Sequence, residues 1–132
     1  MYVEKEARSI NKINDDIKSA GQSFLGLHMA DLLTRIKELD DKVSKSKLIE
    51  EYHSNQQGYY DKDTGGTRTR VNAAIRIIKA EKVMYALEQI DGSDPRVLPE
   101  AANKAKETIM KIHTGELKLP NLDSTAKTPK IL

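Results

Sequence analysis

The stretch Arg68-Thr-Arg-Val-Asn-Ala-Ala-Ile-Arg-Ile-Ile-Lys-Ala-Glu-Lys-Val-Met-Tyr-Ala-Leu-Glu-Gln-Ile90 decides the fold class. Val71, Ala74, Ile75, Ile78 and Tyr85 recur at helical spacing, and Ala73, Ile77, Ala80, Met84 and Leu87 widen the apolar arc. A helix apolar over so much of its girth is the central, most buried member of a bundle. Thr67 or Thr69 offers a capping hydroxyl at its start, and Asp91-Gly92-Ser93-Asp94-Pro95 stops it. The expected helix spans 68–90.

Working outward, Pro99 suits a first helical turn and Gly115 a left-handed cap, with Leu98, Ala102, Ala105, Ile109 and Ile112 buried between them; this predicts a helix over 98–113. Upstream, Leu25, Met29, Leu32, Ile36, Leu39 and Val43 alternate by four and three, a seam that packs against another helix and extends through Leu48, Ile49 and Tyr52. That predicts a helix over 25–53. Val3, Ile10, Ile13, Ile17, Ala20 and Phe24 form a stripe on a first helix over 3–20, and a break or bend is expected between Gly21 and Gly26, where the apolar phase slips. Residues 54–67 are polar and carry three glycines, which predicts one long loop. The expectation is an all-α fold: a small helical bundle or hairpin of about four helices in one domain over 1–115, with an extended or disordered tail over 116–132.

Composition narrows the function classes. The chain has 132 residues, enough for one core, and no cysteine, which excludes disulfides, thiol catalysis and thiolate metal sites. Aromatics are one Phe, five Tyr and no Trp, so the core is aliphatic. The charged start, Met1-Tyr2-Val3-Glu4-Lys5-Glu6, leads into no apolar run, and no window approaches a membrane span. The expected location is the cytoplasm, with no membrane association. A net charge of +2 sets up no global field, so any electrostatic case rests on local clustering.

The segment Thr64-Gly65-Gly66-Thr67-Arg68-Thr69-Arg70 supplies that clustering. Carboxylates usually populate a first helical turn, where they offset the helix dipole. Here the turn holds two Arg and no acid, an arrangement that costs stability unless an anion or partner offsets it. Arg68, Asn72, Arg76 and Lys79 fall on one narrow helical stripe, Gly65, Gly66 and Thr67 offer backbone or hydroxyl donors, and Tyr59 or Tyr60 could stack on a base. The competing reading is a solvated basic face paired with acids of a neighbouring helix, such as Glu38, Asp40 and Asp41. The segment lacks the Gly-Lys-Ser/Thr ending of a phosphate-binding loop. Glu50 and His53 have the Glu-x-x-His spacing of carboxylate di-iron bundles, but no second pair exists, and His28 and His113 have no partner at ligand spacing, so no metal is expected and these histidines read as surface or interface residues. No nucleophile elbow or cofactor-binding glycine motif occurs, so neither catalysis nor a cofactor is expected.

Thr67-Arg68-x-Arg70, Ala73, Arg76-Ile77, Ala80 and Val83-Met84-Tyr85-Ala86 loosely resemble the second helix of the phage-encoded hairpin proteins that sequester cyclic nucleotides, with a two-residue shift needed at Val83. The resemblance implies an oligomerising hairpin that binds nucleotides without cleaving them. The leading expectation is a non-enzymatic, self-associating protein that holds a nucleotide or other phosphate-bearing ligand at the basic helix start. A protein-interaction module using its seams or tail is the alternative. Nucleic-acid binding ranks third, for want of a helix-turn-helix signature.

Overall fold

A computed structural model describes residues 9–56 and 60–120. It is all-helical, with no strand among the described residues. Ser9 caps α1 (Ile10–Ala20) by accepting a hydrogen bond from the Lys12 amide, and Ile13, Ile17 and Ala20 form its buried stripe. At φ 88°, Gly21 ends α1 and starts α2 (Gln22–Thr34) with no intervening loop. The break therefore lies at Gly21 alone, and Gly26 sits inside α2. Its role there is steric. A Cβ on Gly26 would lie 2.4 Å from the carbonyl oxygen of Ala101, so its absence lets the two backbones meet.

The expected helix over 25–53 is divided into α2, α3 (Ile36–Leu39) and α4 (Lys42–Ser54). Arg35 holds the first bend. Its guanidinium bonds Glu38 at 2.9 Å and Glu51 at 2.7 Å, with Asp31 at 3.5 Å, drawing three helices together. Asp41 then caps α4 through the Ser44 amide and hydroxyl. These bends interrupt the heptad seam: Leu25, Met29, Leu32 and Leu39 are buried, but Val43 is 63% exposed.

The expected helix over 68–90 is also divided, into α5 (Thr64–Lys79) and α6 (Val83–Glu88). Glu81 adopts φ 59°, a conformation unusual for a residue with a Cβ, and turns the chain between them. Val83-Met84-Tyr85-Ala86 thus lies on a separate helix from Arg68 and Arg76, and the resemblance to one continuous hairpin helix stops at Ala80. The helix α7 (Pro99–Thr114) starts with proline and ends at Gly115, φ 83°.

The core joins α1 to α6, with Leu39 from α3 and Ala105 from α7, around Phe24, Leu25, Met29, Leu32, Leu48, Ile49, Ile77 and Leu87. The central helix is α2, which packs on α1, α3, α5, α6 and most extensively α7. By contrast, α5 buries one face (Thr67, Val71, Ala73, Ala74, Ile77 and Ile78) and leaves the other outward. Met84 and Leu87, which widen the apolar arc of an unbroken helix over 68–90, belong to α6, so α5 is less apolar around its girth than expected. The tail begins by folding back on the domain. The Leu117 amide bonds the Lys111 carbonyl at 3.0 Å, and Leu119 and Pro120 lie beside Ile78, Glu81 and Val83. Expectations for 3–8 and 121–132 lie outside the described residues.

Candidate functional site

The start of α5 resolves the charge problem posed by its sequence. Asp63 is the N-cap and accepts from the Gly65 amide at 2.9 Å. Asp61, also in the preceding loop, lies across the first turn. Its carboxylate accepts from the Thr67 hydroxyl at 3.0 Å and from Arg70 Nε at 3.2 Å. A Cβ on Gly66 would sit 2.7 Å from that carboxylate, so the glycine makes room for the protein's own anion. The offsetting negative charge is internal. Residues 64–67, expected in the loop, are the first turn of the helix because these two aspartates satisfy it.

The loop is locked from its other side as well. Gln56 donates from Nε2 to the Asp61 carbonyl at 3.1 Å and accepts from the Asp61 amide through Oε1. His53 Nδ1 lies 3.1 Å from Thr67 Oγ1. Gln56 Nε2 approaches the same ring nitrogen at 3.4 Å. Thr, His and Asp therefore meet at one point, but not in a nucleophile's arrangement. Thr67 is fully buried, and the histidine contacts the hydroxyl without contacting the carboxylate. The cluster is a latch. It also engages His53 away from Glu50, and no group of metal-holding side chains occurs among the described residues. His28 is half-buried: its ring stacks on Tyr52 (centroids 4.8 Å apart) beside Phe24 (4.9 Å), and burial pushes its pKa down against the opposing pull of Asp31.

The remaining sequence candidates separate into two groups. Arg70 turns toward the end of α1, where Nη1 donates to the Ala20 carbonyl at 2.7 Å and passes over Gly21. Arg76 Nε bonds Asp16 at 2.8 Å, an α1 carboxylate only 4% exposed. Glu38, Asp40 and Asp41 pair with neither. Arg68, Asn72 and Lys79 stay on the outward face of α5, joined by Lys45 of α4, whose Nζ donates to Asn72 Oδ1 at 3.1 Å. Tyr60 is 84% exposed, and Tyr59 lies outside the described residues.

Among the described candidates, Arg70 lines a cavity of ligand size. An open cleft of about 420 Å³ is lined by Ile17, Lys18, Gly21, Gln22, Ser23, Phe24, Arg70, Asp94, Arg96 and Val97. Its floor is apolar (Ile17, Phe24 and Val97), and its polar rim holds three cationic side chains and one carboxylate. Asp94 is occupied by Arg96 at 2.9 Å, whose side-chain and backbone donors hold its pKa down to about 2. The walls are fixed. Ser23 Oγ accepts from the Leu98 amide at 3.1 Å and Gln22 Oε1 from the Asp91 amide at 2.8 Å, tying the 91–98 connection to the start of α2. That start is capped by Gly21 with no side chain on its amides. Nothing local in the sequence marks Lys18, Gln22 or Arg96; the fold brings the Gly21 junction, which carries Lys18 and Gln22, and the connection that carries Arg96 beside Arg70.

No family model matches the chain, and comparison with curated proteins and with solved structures gave no match either.

Proposed function

We propose that the protein is a non-enzymatic binder of a small anionic ligand, carrying a phosphate or carboxylate and an apolar portion, seated in the cleft between α1, α2, Arg70 and the 91–98 connection. The observation that carries this reading is the convergence of Lys18, Arg70 and Arg96 over an apolar floor in a cleft of about 420 Å³. That volume falls within the usual range for small-molecule sites, about 300–1,000 Å³. Arg70 is held in place by Asp61 and the Ala20 carbonyl, so its guanidinium is set before a ligand arrives. Arg96 is 88% exposed in its side chain and can swing from Asp94 to an incoming anion at little cost. No activated nucleophile lines the cleft. A helical bundle working in a reducing cytosol suits the cysteine-free, all-helical chain.

The protein-interaction alternative draws less support. Leu25, Met29, Leu32 and Leu39 of the seam are used inside the chain, and Ile10, Val43, Met110 and Leu119 are exposed on separate elements. Titration calorimetry with linear and cyclic nucleotides, simple phosphates and carboxylates is the test. Lys18→Ala/Arg96→Ala removes two exposed cations without touching the core. The expected loss of affinity is about 10- to 100-fold, from hydrogen bonds to charged groups. Absence of binding across the panel, or unchanged affinity in the variant, refutes the proposal.

A further inference from the structure

The hydrogen bonds around the cleft leave a rim of one chemical kind. Each side-chain acceptor that lines it is already engaged by the protein. Gln22 Oε1 accepts from the Asp91 amide at 2.8 Å, and Ser23 Oγ from the Leu98 amide at 3.1 Å. Asp94 accepts from the Arg96 amide at 2.9 Å through Oδ1 and from Arg96 Nη2 at 2.9 Å through Oδ2. The donors are in the opposite state. A backbone N–H can bond the Gln22 side chain only at its oxygen, so the Nε2 group stays available. Arg96 holds Asp94 through Nε and Nη2 and keeps Nη1 for a further acceptor. The Lys18 ammonium and the Ser23 hydroxyl hydrogen have no acceptor among the described residues. Ser23 is buried, so its unbonded hydrogen costs free energy that a ligand oxygen in the cleft would recover.

A rim of donors discriminates between ligands. The oxygens of a phosphate or carboxylate are acceptors alone and match it. An amine, an amide or the edge of a nucleobase brings N–H groups that would leave water and meet no open side-chain acceptor. The floor discriminates as well. Phe24 is the one aromatic among the described residues that line the cleft, and it is fully buried, so its ring offers no face on which a base could stack. Ile17 and Val97 each keep 6% of their surface, enough to meet a short aliphatic chain and too little for a broad ring system. We infer that the ligand of this cleft is a short aliphatic phosphate or carboxylate whose chain carries no N–H group, in preference to a nucleotide or an amino acid. This inference rests on the reading of the cleft as a small-anion site and adds to it which anions are admitted.

The test is titration calorimetry of the full chain with butyl phosphate, pentanoate, methyl phosphate, phosphoethanolamine and adenosine monophosphate. Butyl phosphate and pentanoate, the two heads on one chain, should both bind, and the tighter of the two identifies the preferred head. Methyl phosphate should bind more weakly than butyl phosphate, by up to about fourfold for each methylene buried on Ile17 and Val97. Phosphoethanolamine and adenosine monophosphate carry the same head on tails with N–H groups, and both should bind about tenfold more weakly than butyl phosphate. Gln22→Glu keeps an acceptor for the Asp91 amide but replaces the Nε2 donor with a carboxylate oxygen. It should weaken butyl phosphate about tenfold and erase its lead over phosphoethanolamine. The inference is overturned if phosphoethanolamine or adenosine monophosphate binds wild type as tightly as butyl phosphate, or if Gln22→Glu leaves the ratio of the two affinities unchanged. In each of those cases the cleft still stands as an anion site. No binding by any of the five overturns the inference together with the site.

Discussion

Gly26→Ala isolates the contact on which the centre of the fold depends. In a helix interior alanine is favoured over glycine by about 1 kcal/mol, so local propensity alone forecasts a more stable protein. Tertiary geometry forecasts the reverse. The new Cβ would lie 2.4 Å from the Ala101 carbonyl oxygen, 2.9 Å from its carbon and 3.0 Å from its Cβ. These are mostly backbone atoms, so no rotamer change relieves the overlap; α2 and α7 must separate by about 1 Å, which forfeits a quarter to a half of each dispersion contact across the seam. The same movement stretches the Leu98–Ser23 hydrogen bond and loosens Val97, Ala101 and Ala102. Overpacking of this kind costs up to about 3 kcal/mol. Subtracting the propensity gain leaves a net loss of about 2 kcal/mol, or a fall in Tm of about 8 °C for a domain of this size. Thermal and urea unfolding followed by far-UV circular dichroism measure it. A Gly26→Ala protein as stable as wild type, or more so, refutes the close approach of α2 and α7. Gly115→Ala is the contrasting control: φ is 83° and no atom lies within 4 Å, so only the conformational cost of about 1 kcal/mol applies.

Acid should expose His28. Its folded-state pKa is below the ordinary 6.5, so as pH falls through 6.5 the unfolded chain takes up a proton that the folded chain resists. Stability therefore declines from pH 7 downward and levels off once folded His28 also protonates. His28→Gln should flatten that limb of a stability–pH curve, and an unchanged slope would disprove the assignment. Asp41, Asp91 and Asp94, held below the ordinary carboxylate range, lose their contributions only at lower pH, so the two limbs separate. Asp61→Ala should cost about 3 kcal/mol in urea unfolding, because Arg70 and the buried Thr67 each lose a partner. Asp63→Ala removes only the exposed cap and should cost about 1 kcal/mol. Equal losses for the two would place Asp61 outside the latch.

What the sequence determined by itself is the helical class and those boundaries that local chemistry enforces. Apolar spacing of three and four marks α1, α5 and α7, Gly21 breaks the chain after α1, and Pro99 and Gly115 bracket α7, because periodicity and φ preference belong to neighbouring residues. The pairing of Arg68 and Arg70 near a helix start that carries no acid of its own was legible too. Its resolution was not, since whether Asp61 swings onto Thr67 and Arg70 depends on where the loop closes. Tertiary structure alone decided the bend at Arg35, whose partner Glu51 lies sixteen positions away. It also decided the turn at Glu81, which holds a left-handed conformation that glutamate rarely adopts. The cleft belongs wholly to that second category. Lys18, Arg70 and Arg96 share no local pattern, and they meet only because Gly21 sets α1 against α2 and Ser23 anchors the start of α7. A charge on the chain is local chemistry, but its partner is chosen by packing.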